Sequence, residues 1–104
     1  MERVGFTMRL LPGHEAEYRR RHAAVWPEML EALRAAGARN YSIFLRGADL
    51  FAYLEVEDFA AFRATMAAAD VNDRWQAVMA ALIDPLMDAE TGFHQRLEEL
   101  FHLE

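Results

Sequence analysis

The pattern of hydrophobic positions predicts three β-strands, and in the first of them hydrophobic and polar positions alternate as in a strand that buries one face. In residues 3–10 the apolar side of the alternation is formed by Val4, Phe6, Met8 and Leu10. Segments 40–46 and 50–56 flank Gly47-Ala48-Asp49, a sequence typical of a short turn. The pattern therefore predicts one isolated strand followed later by a β-hairpin.

Apolar residues recur at helical spacing in two other stretches. The first begins near residue 14 and contains Pro27, which a helix tolerates in its first turn but not in its interior. We therefore expect a break before Pro27 and a second helix from Pro27 to Ala36. The other stretch starts at Asp58, a good helix cap, and Asp70 can cap a further helix that runs on at helical spacing until Pro85.

The C-terminal tail fits two structures. Phe93, Leu97, Leu100 and Phe101 have helical spacing, whereas Leu100–Leu103 could form a short closing strand. The order of elements is strand, helix, strand, strand, helix and a final strand if the tail forms one. This order predicts an α+β fold, the ferredoxin-like split βαβ sandwich.

Strand 50–56 is apolar on both faces. A sheet of this kind needs cover on both faces, and the predicted helices supply only one layer. The simplest cover for the second face is another copy of the same sheet. We therefore expect a homodimer in which two sheets face each other as a dimeric α/β barrel.

Composition narrows the class of protein. The length of 104 residues suits one domain, spanning 1–104. The absence of cysteine excludes disulfides and thiolate chemistry and suits a cytoplasmic setting. The net charge of -6 disfavours nucleic acid and anionic lipid as partners. The longest apolar stretch, Ala77 to Ile83, is far below the ~20 residues of a membrane span.

The most informative candidate site lies in the first helical stretch. Tyr18 and His22 are four residues apart, so they are neighbours on one helix face, and that face continues into Trp26 and Met29. Aromatic rings beside polar tips suit a sugar, whose ring has apolar faces and a rim of hydroxyls. The same spacing is also typical of a core histidine that bonds a backbone carbonyl.

Two other aromatic residues are candidates for the same surface. Tyr41 lies on a strand whose face meets the helices, although tyrosine also occurs in sheets for its β-propensity alone. Trp75 is on the later helix, where a tryptophan is most often a core anchor. The four histidines lack metal-ligand spacing, which argues against a metal site.

Four stretches of the chain resemble the L-rhamnose mutarotase family. They are EYRRRHAAVWPEM (residues 17–29), GARNYSIFL (37–45), DRWQAVM (73–79) and LEELFHL (97–103). The first two stretches are specific, and together the four cover nearly the whole chain in order.

The resemblance implies an isomerase that interconverts the α and β anomers of L-rhamnose or a related pyranose without cofactor or metal. It implies that His22 is the acid/base residue and that Tyr18, Tyr41 and Trp75 contact the sugar. Gln76 stands where the family has a second pocket tryptophan, so it too is a candidate substrate contact. The resemblance also places a short final strand at Leu100–Leu103.

Two other functions are compatible with such a fold, because a fold does not fix a function. One is a cofactor-independent monooxygenase, and the other is a non-catalytic sugar-binding protein. Acceleration of anomer exchange from a single sugar anomer separates both from a mutarotase.

Overall fold

The computed structural model describes residues 1–104. It contains five strands and four helices, in the order β1 Glu2–Leu10, α1 Glu15–Ala23, α2 Pro27–Ala35, β2 Arg39–Arg46, β3 Asp49–Val56, α3 Phe59–Ala67, α4 Asp70–Met79, β4 Ile83–Asp84 and β5 Arg96–Leu97.

The strands form one antiparallel sheet in the order β2-β3-β1-β4, and β5 also pairs with β1. The long strand β3 lies between β1 and β2, which are joined in sequence by the helical pair α1 and α2. This is the split βαβ arrangement of the ferredoxin-like fold, and it confirms the fold class predicted from the sequence.

The core lies between the helices and one face of the sheet. The alternating apolar residues of β1, which are Val4, Phe6, Met8 and Leu10, are at most 5 % exposed. Leu50, Leu54 and Val56 of β3 are almost completely buried beside them. No charged residue is buried, and among the buried side chains only Tyr18 and Trp75 carry a hydrogen-bonding group. None of the helices has the length and hydropathy required to cross a bilayer.

The helix boundaries follow the local sequence closely at two of three predicted points. Pro27 is the first residue of α2, as predicted, so its missing N–H costs the helix nothing. The Asp58 carboxylate accepts a hydrogen bond from the Ala61 amide at 3.0 Å and caps α3. The prediction that Asp70 caps the next helix is wrong. Ala69 occupies that position, because α4 begins one residue earlier than a capping Asp70 requires.

We expect Asp58→Ala to lower the free energy of unfolding by about 1 kcal/mol, because it leaves a helix amide without its partner. Urea unfolding followed by circular dichroism measures this change. Asp58→Asn is the matched control, since asparagine caps about as well as aspartate; an equal loss in both variants would contradict the capping role.

The region after Met79 departs from the prediction. Helical spacing continues toward Pro85, but α4 ends at Met79 and Ile83–Asp84 form β4 against the end of β1. The hairpin turn is also shorter than predicted, because Asp49 already pairs with β1 and β2.

The closing strand predicted at Leu100–Leu103 is wrong, and so is the helical alternative for the tail. The last strand is β5, where Leu97 pairs with Gly5 of β1. Residues 98–104 have no regular secondary structure. The position of such a short strand is determined by the strand with which it pairs, and here that strand lies some ninety positions earlier in the chain. The local spacing of apolar residues carries no information about that pairing.

Candidate active site

Helix α1 brings Tyr18 and His22 together, as their spacing predicts. Their rings stack with centroids 4.0 Å apart. His22 Nδ1 lies 3.0 Å from the backbone carbonyl oxygen of Tyr18. A carbonyl oxygen can only accept, so Nδ1 is the donor in this hydrogen bond. The neutral imidazole therefore keeps its lone pair on Nε2, where it can accept a proton from another molecule.

Trp75 of α4 approaches His22 from the neighbouring helix. The two rings meet edge to face at 5.5 Å, and Trp26 packs edge-on against Trp75 at 5.0 Å. The Arg74 guanidinium bonds the carboxylate of Glu28, so an ion pair also joins α2 to α4 beside these rings. Trp75 is only 6 % exposed, which fixes the position of its ring.

Tyr41 reaches the same region from the sheet. The pairing of β2 with β3 shifts register between Arg39 and Ser42, and Asn40 adopts a positive φ of 49°. Tyr41 nevertheless lies on the side of the sheet that Ile43 occupies, as the alternation along β2 predicts. The Tyr41 ring lies 6.5 Å from that of Phe6 and leaves 37 % of the residue exposed.

Two adjoining cavities lie between the sheet and the helices. The larger is a cleft of about 820 Å³, a size in the range of small-molecule sites. The smaller has about 50 Å³ and is lined by residues that include all five predicted from the sequence, namely Tyr18, His22, Tyr41, Trp75 and Gln76. Four of these five also line the cleft, whereas Tyr18 lines only the small cavity. The structure thus brings together residues that lie on two helices and a strand.

Sequence reasoning missed several residues that line both cavities. The most polar of them is His94, whose ring stacks on Phe6 at 4.8 Å and whose Nδ1 lies 2.8 Å from the carbonyl oxygen of Pro85. No motif marks His94, because it enters the site through a loop and not through a periodic face. Asn72 was missed as well; its Oδ1 accepts from Gln76 Nε2 at 3.2 Å and so orients that amide.

The titratable groups along the two cavities are few. They are Tyr18, His22, Tyr41, Arg63 and His94, with no carboxylate among them. The chain has no cluster of three or more metal-ligating side chains. Among these groups, imidazole is the one suited to proton transfer near neutral pH.

Burial sets the charge state of these groups. It raises the pKa of Tyr18 to about 12 and raises that of Tyr41, to which the neighbouring Tyr18 also contributes. Both phenols are therefore neutral hydrogen-bond donors near pH 7. Burial lowers the pKa of His22, and the hydrogen bond to the Tyr18 carbonyl offsets part of that change. The neutral, proton-accepting form of His22 is thus favoured.

Comparison with known proteins adds four findings. A family model described as L-rhamnose mutarotase matches residues 3–103. An L-rhamnose mutarotase of Listeria monocytogenes serotype 4b (strain F2365) is 49 % identical over 85 residues, covering 80 % of this chain and 81 % of that protein. An L-rhamnose mutarotase of Burkholderia orbicola (strain MC0-3) is 45 % identical over 105 residues, covering 100 % of this chain and 100 % of that protein. The crystal structure of an L-rhamnose mutarotase from Formosa agariphila superposes with a TM-score of 0.80 at 29 % identity, with both chains fully covered.

Proposed function

The chain belongs to the L-rhamnose mutarotase family, and from this we propose that it interconverts the anomers of L-rhamnose with His22 as its proton-transfer residue. It is an isomerase. The family match favours this function over the monooxygenase and the non-catalytic sugar-binding protein that the sequence left open.

The reaction needs two proton transfers at one end of a pyranose. The anomeric hydroxyl, O1–H, loses its proton while the C1–O5 bond breaks and O1 forms a double bond to C1. The ring oxygen O5 gains a proton, the C1–C2 bond rotates, and closure by the reverse steps gives the other anomer. A neutral imidazole can take the first proton at Nε2 and return it to O5.

One observation carries the assignment to His22. Of the two imidazoles on the small cavity, His22 is the one that stacks on Tyr18 and meets Trp75, and no carboxylate lines either cavity. Aromatic rings can lie against the apolar faces of a sugar while the phenols and the amide of Gln76 bind its hydroxyls. We propose that Tyr18, Tyr41, Trp75 and Gln76 bind the substrate in this way.

The direct test starts from a single anomer of L-rhamnose. The anomeric proton signals, followed by exchange NMR, give the rate of interconversion with and without the protein. We expect saturable acceleration above the spontaneous rate. Saturable binding without acceleration would instead support a sugar-binding protein and overturn the proposal.

Gln76 gives a prediction about substrate range. It is exposed at the cavity, and its amide makes the wall more polar than an indole would. We expect activity on L-rhamnose with less discrimination against related pyranoses such as L-mannose and L-lyxose. Exchange NMR across these sugars checks this. Gln76→Trp should sharpen the discrimination, whereas Ala77→Trp, at an exposed position of α4 outside both cavities, should not. No difference between the two variants would refute the role of Gln76.

We also propose that the protein is a homodimer joined through the sheet face opposite the helices. Phe44 of β2 and Phe51 of β3 are paired across the strands on that face, and they are 63 % and 40 % exposed. Leu100, Phe101 and Leu103 of the tail are 80–86 % exposed as well. A second copy offers the same apolar patch, so one twofold axis can cover both.

A further inference from the structure

His94 is a second imidazole on the wall of the candidate active site. Like His22, it lines both the cleft and the small cavity. The two histidines come from unrelated parts of the chain, since His22 belongs to α1 and His94 follows β4. Site residues carried by separate elements can approach one ligand from different directions.

The surrounding structure holds His94 in place. Its ring stacks on Phe6 with an interplanar angle of 17° and meets Phe93 edge-on at 4.8 Å. The loop that carries it is closed by an isolated bridge to Met87 and by a hydrogen bond from the amide of Gln95 to the carbonyl of Leu86. The position of the His94 ring on the cavity wall is therefore fixed by packing and by the hydrogen bonds of its loop.

The hydrogen bond of His94 repeats that of His22. In each case Nδ1 donates to a backbone carbonyl oxygen, of Pro85 at 2.8 Å and of Tyr18 at 3.0 Å. Each ring thus has the same tautomer when neutral, with Nε2 as the only nitrogen left for a ligand. Near neutral pH no other side chain that lines either cavity can both give and take a proton.

We propose that His94 is a second catalytic residue, which works with His22 so that one imidazole accepts the O1 proton while the other donates a proton to O5. This inference rests on the proposed role of His22. In ring opening the neutral imidazole gains the proton of O1–H, the C1–O5 bond breaks, and the protonated imidazole passes its proton to O5. The pair holds one proton before and after the step. Ring closure reverses the transfers, so no co-reactant is consumed.

The pair predicts a distinct pH dependence. The active form has one imidazole protonated and the other neutral, so the rate falls when both are protonated and again when both are neutral. The other titratable groups facing the cavities are the phenols of Tyr18 and Tyr41, whose pKa burial raises, and the other charged group is the guanidinium of Arg63. If His22 acted alone, its Nε2 would have to accept the O1 proton and then donate it to O5. Only the neutral imidazole can begin that sequence. The rate of such an enzyme rises with pH to a plateau.

The test compares three variants by exchange NMR from pH 4.5 to 8.5, after subtraction of the spontaneous rate. His94→Phe keeps a ring against Phe6 and Phe93 but removes both nitrogens, and His94→Gln is a second, polar replacement. His14→Gln is the control, since His14 lies outside both cavities and makes no capping hydrogen bond.

We expect a bell-shaped profile for wild type and His14→Gln. Both His94 variants should lose kcat by about 10²-fold, with KM changed less than threefold, and should lose the alkaline fall of the profile. Folded His94 variants with near wild-type kcat and an unchanged bell would overturn the inference, even where His22→Ala is inactive. An inactive wild type, or a fully active His22→Ala variant, would overturn the proposed function itself.

Discussion

His22→Ala should fold but lose about 10²–10⁴-fold of its acceleration of anomer exchange, the usual contribution of a positioned acid/base group. The loss arises because truncation removes Nε2, the nitrogen that the Tyr18 carbonyl leaves available. The fold should survive because His22 is only partly buried and its hydrogen bond lies within its own helix. Exchange NMR and thermal unfolding on the same sample measure the two effects.

A purely structural histidine predicts the opposite result. In that case His22→Ala would lower the melting temperature through loss of its contacts with Tyr18 and Trp75, and the folded protein would keep its turnover. His22→Phe sharpens the comparison because it keeps an aromatic ring in the stack while removing both nitrogens. A folded His22→Phe variant that exchanges anomers at the wild-type rate would refute the proposed mechanism.

Tyr18→Phe is the matched control for the neighbouring ring. It keeps the stack on His22 and removes one hydroxyl, which is worth about 0.5–1.5 kcal/mol when it donates a hydrogen bond. We therefore expect a loss of about 2- to 10-fold. A loss as large as that of His22→Ala would shift the main proton-transfer role toward the phenol.

The sequence predicted the parts of the fold that local rules determine. The strict alternation of residues 3–10 leaves only one register in which Phe6 faces the core, and Pro27 can begin a helix but not continue one. Likewise, the spacing of Tyr18 and His22 on one helix is enough to make their rings neighbours. These features depend on residues within a few positions of one another.

Features that depend on distant pairing were missed. The strand β5 exists because Leu97 meets Gly5 at the edge of β1, and no pattern near Leu97 encodes that contact. His94 illustrates the same limit at the site, since its place on the cavity wall follows from stacking on Phe6. The positive φ of Asn40, where the pairing of β2 with β3 shifts register, also left no signal, because asparagine is common in turns and strand irregularities alike.

Phe44→Asp should convert the proposed dimer into a monomer at micromolar concentration. A dimer interface is most sensitive at its apolar centre, where removal of an aromatic side chain costs about 2 kcal/mol or more. A twofold interface carries the substitution twice, so the cost is about 4 kcal/mol and the dimer Kd rises by about 10³-fold. Analytical ultracentrifugation across a concentration series measures this Kd.

The same substitution distinguishes an interface from an ordinary surface. Phe44 is 63 % exposed in the single chain, so in a monomeric protein an aspartate there would change little. Ala48→Asp adds the same charge in the exposed hairpin turn and should leave the dimer intact. The cavities lie on the other face of the sheet, with Phe6 and Ile43 in their walls, so Phe44→Asp alters assembly without touching the catalytic groups. A wild-type chain that sediments as a monomer at tens of micromolar would contradict the dimer, and its exposed Phe44, Phe51 and tail residues would then need another partner.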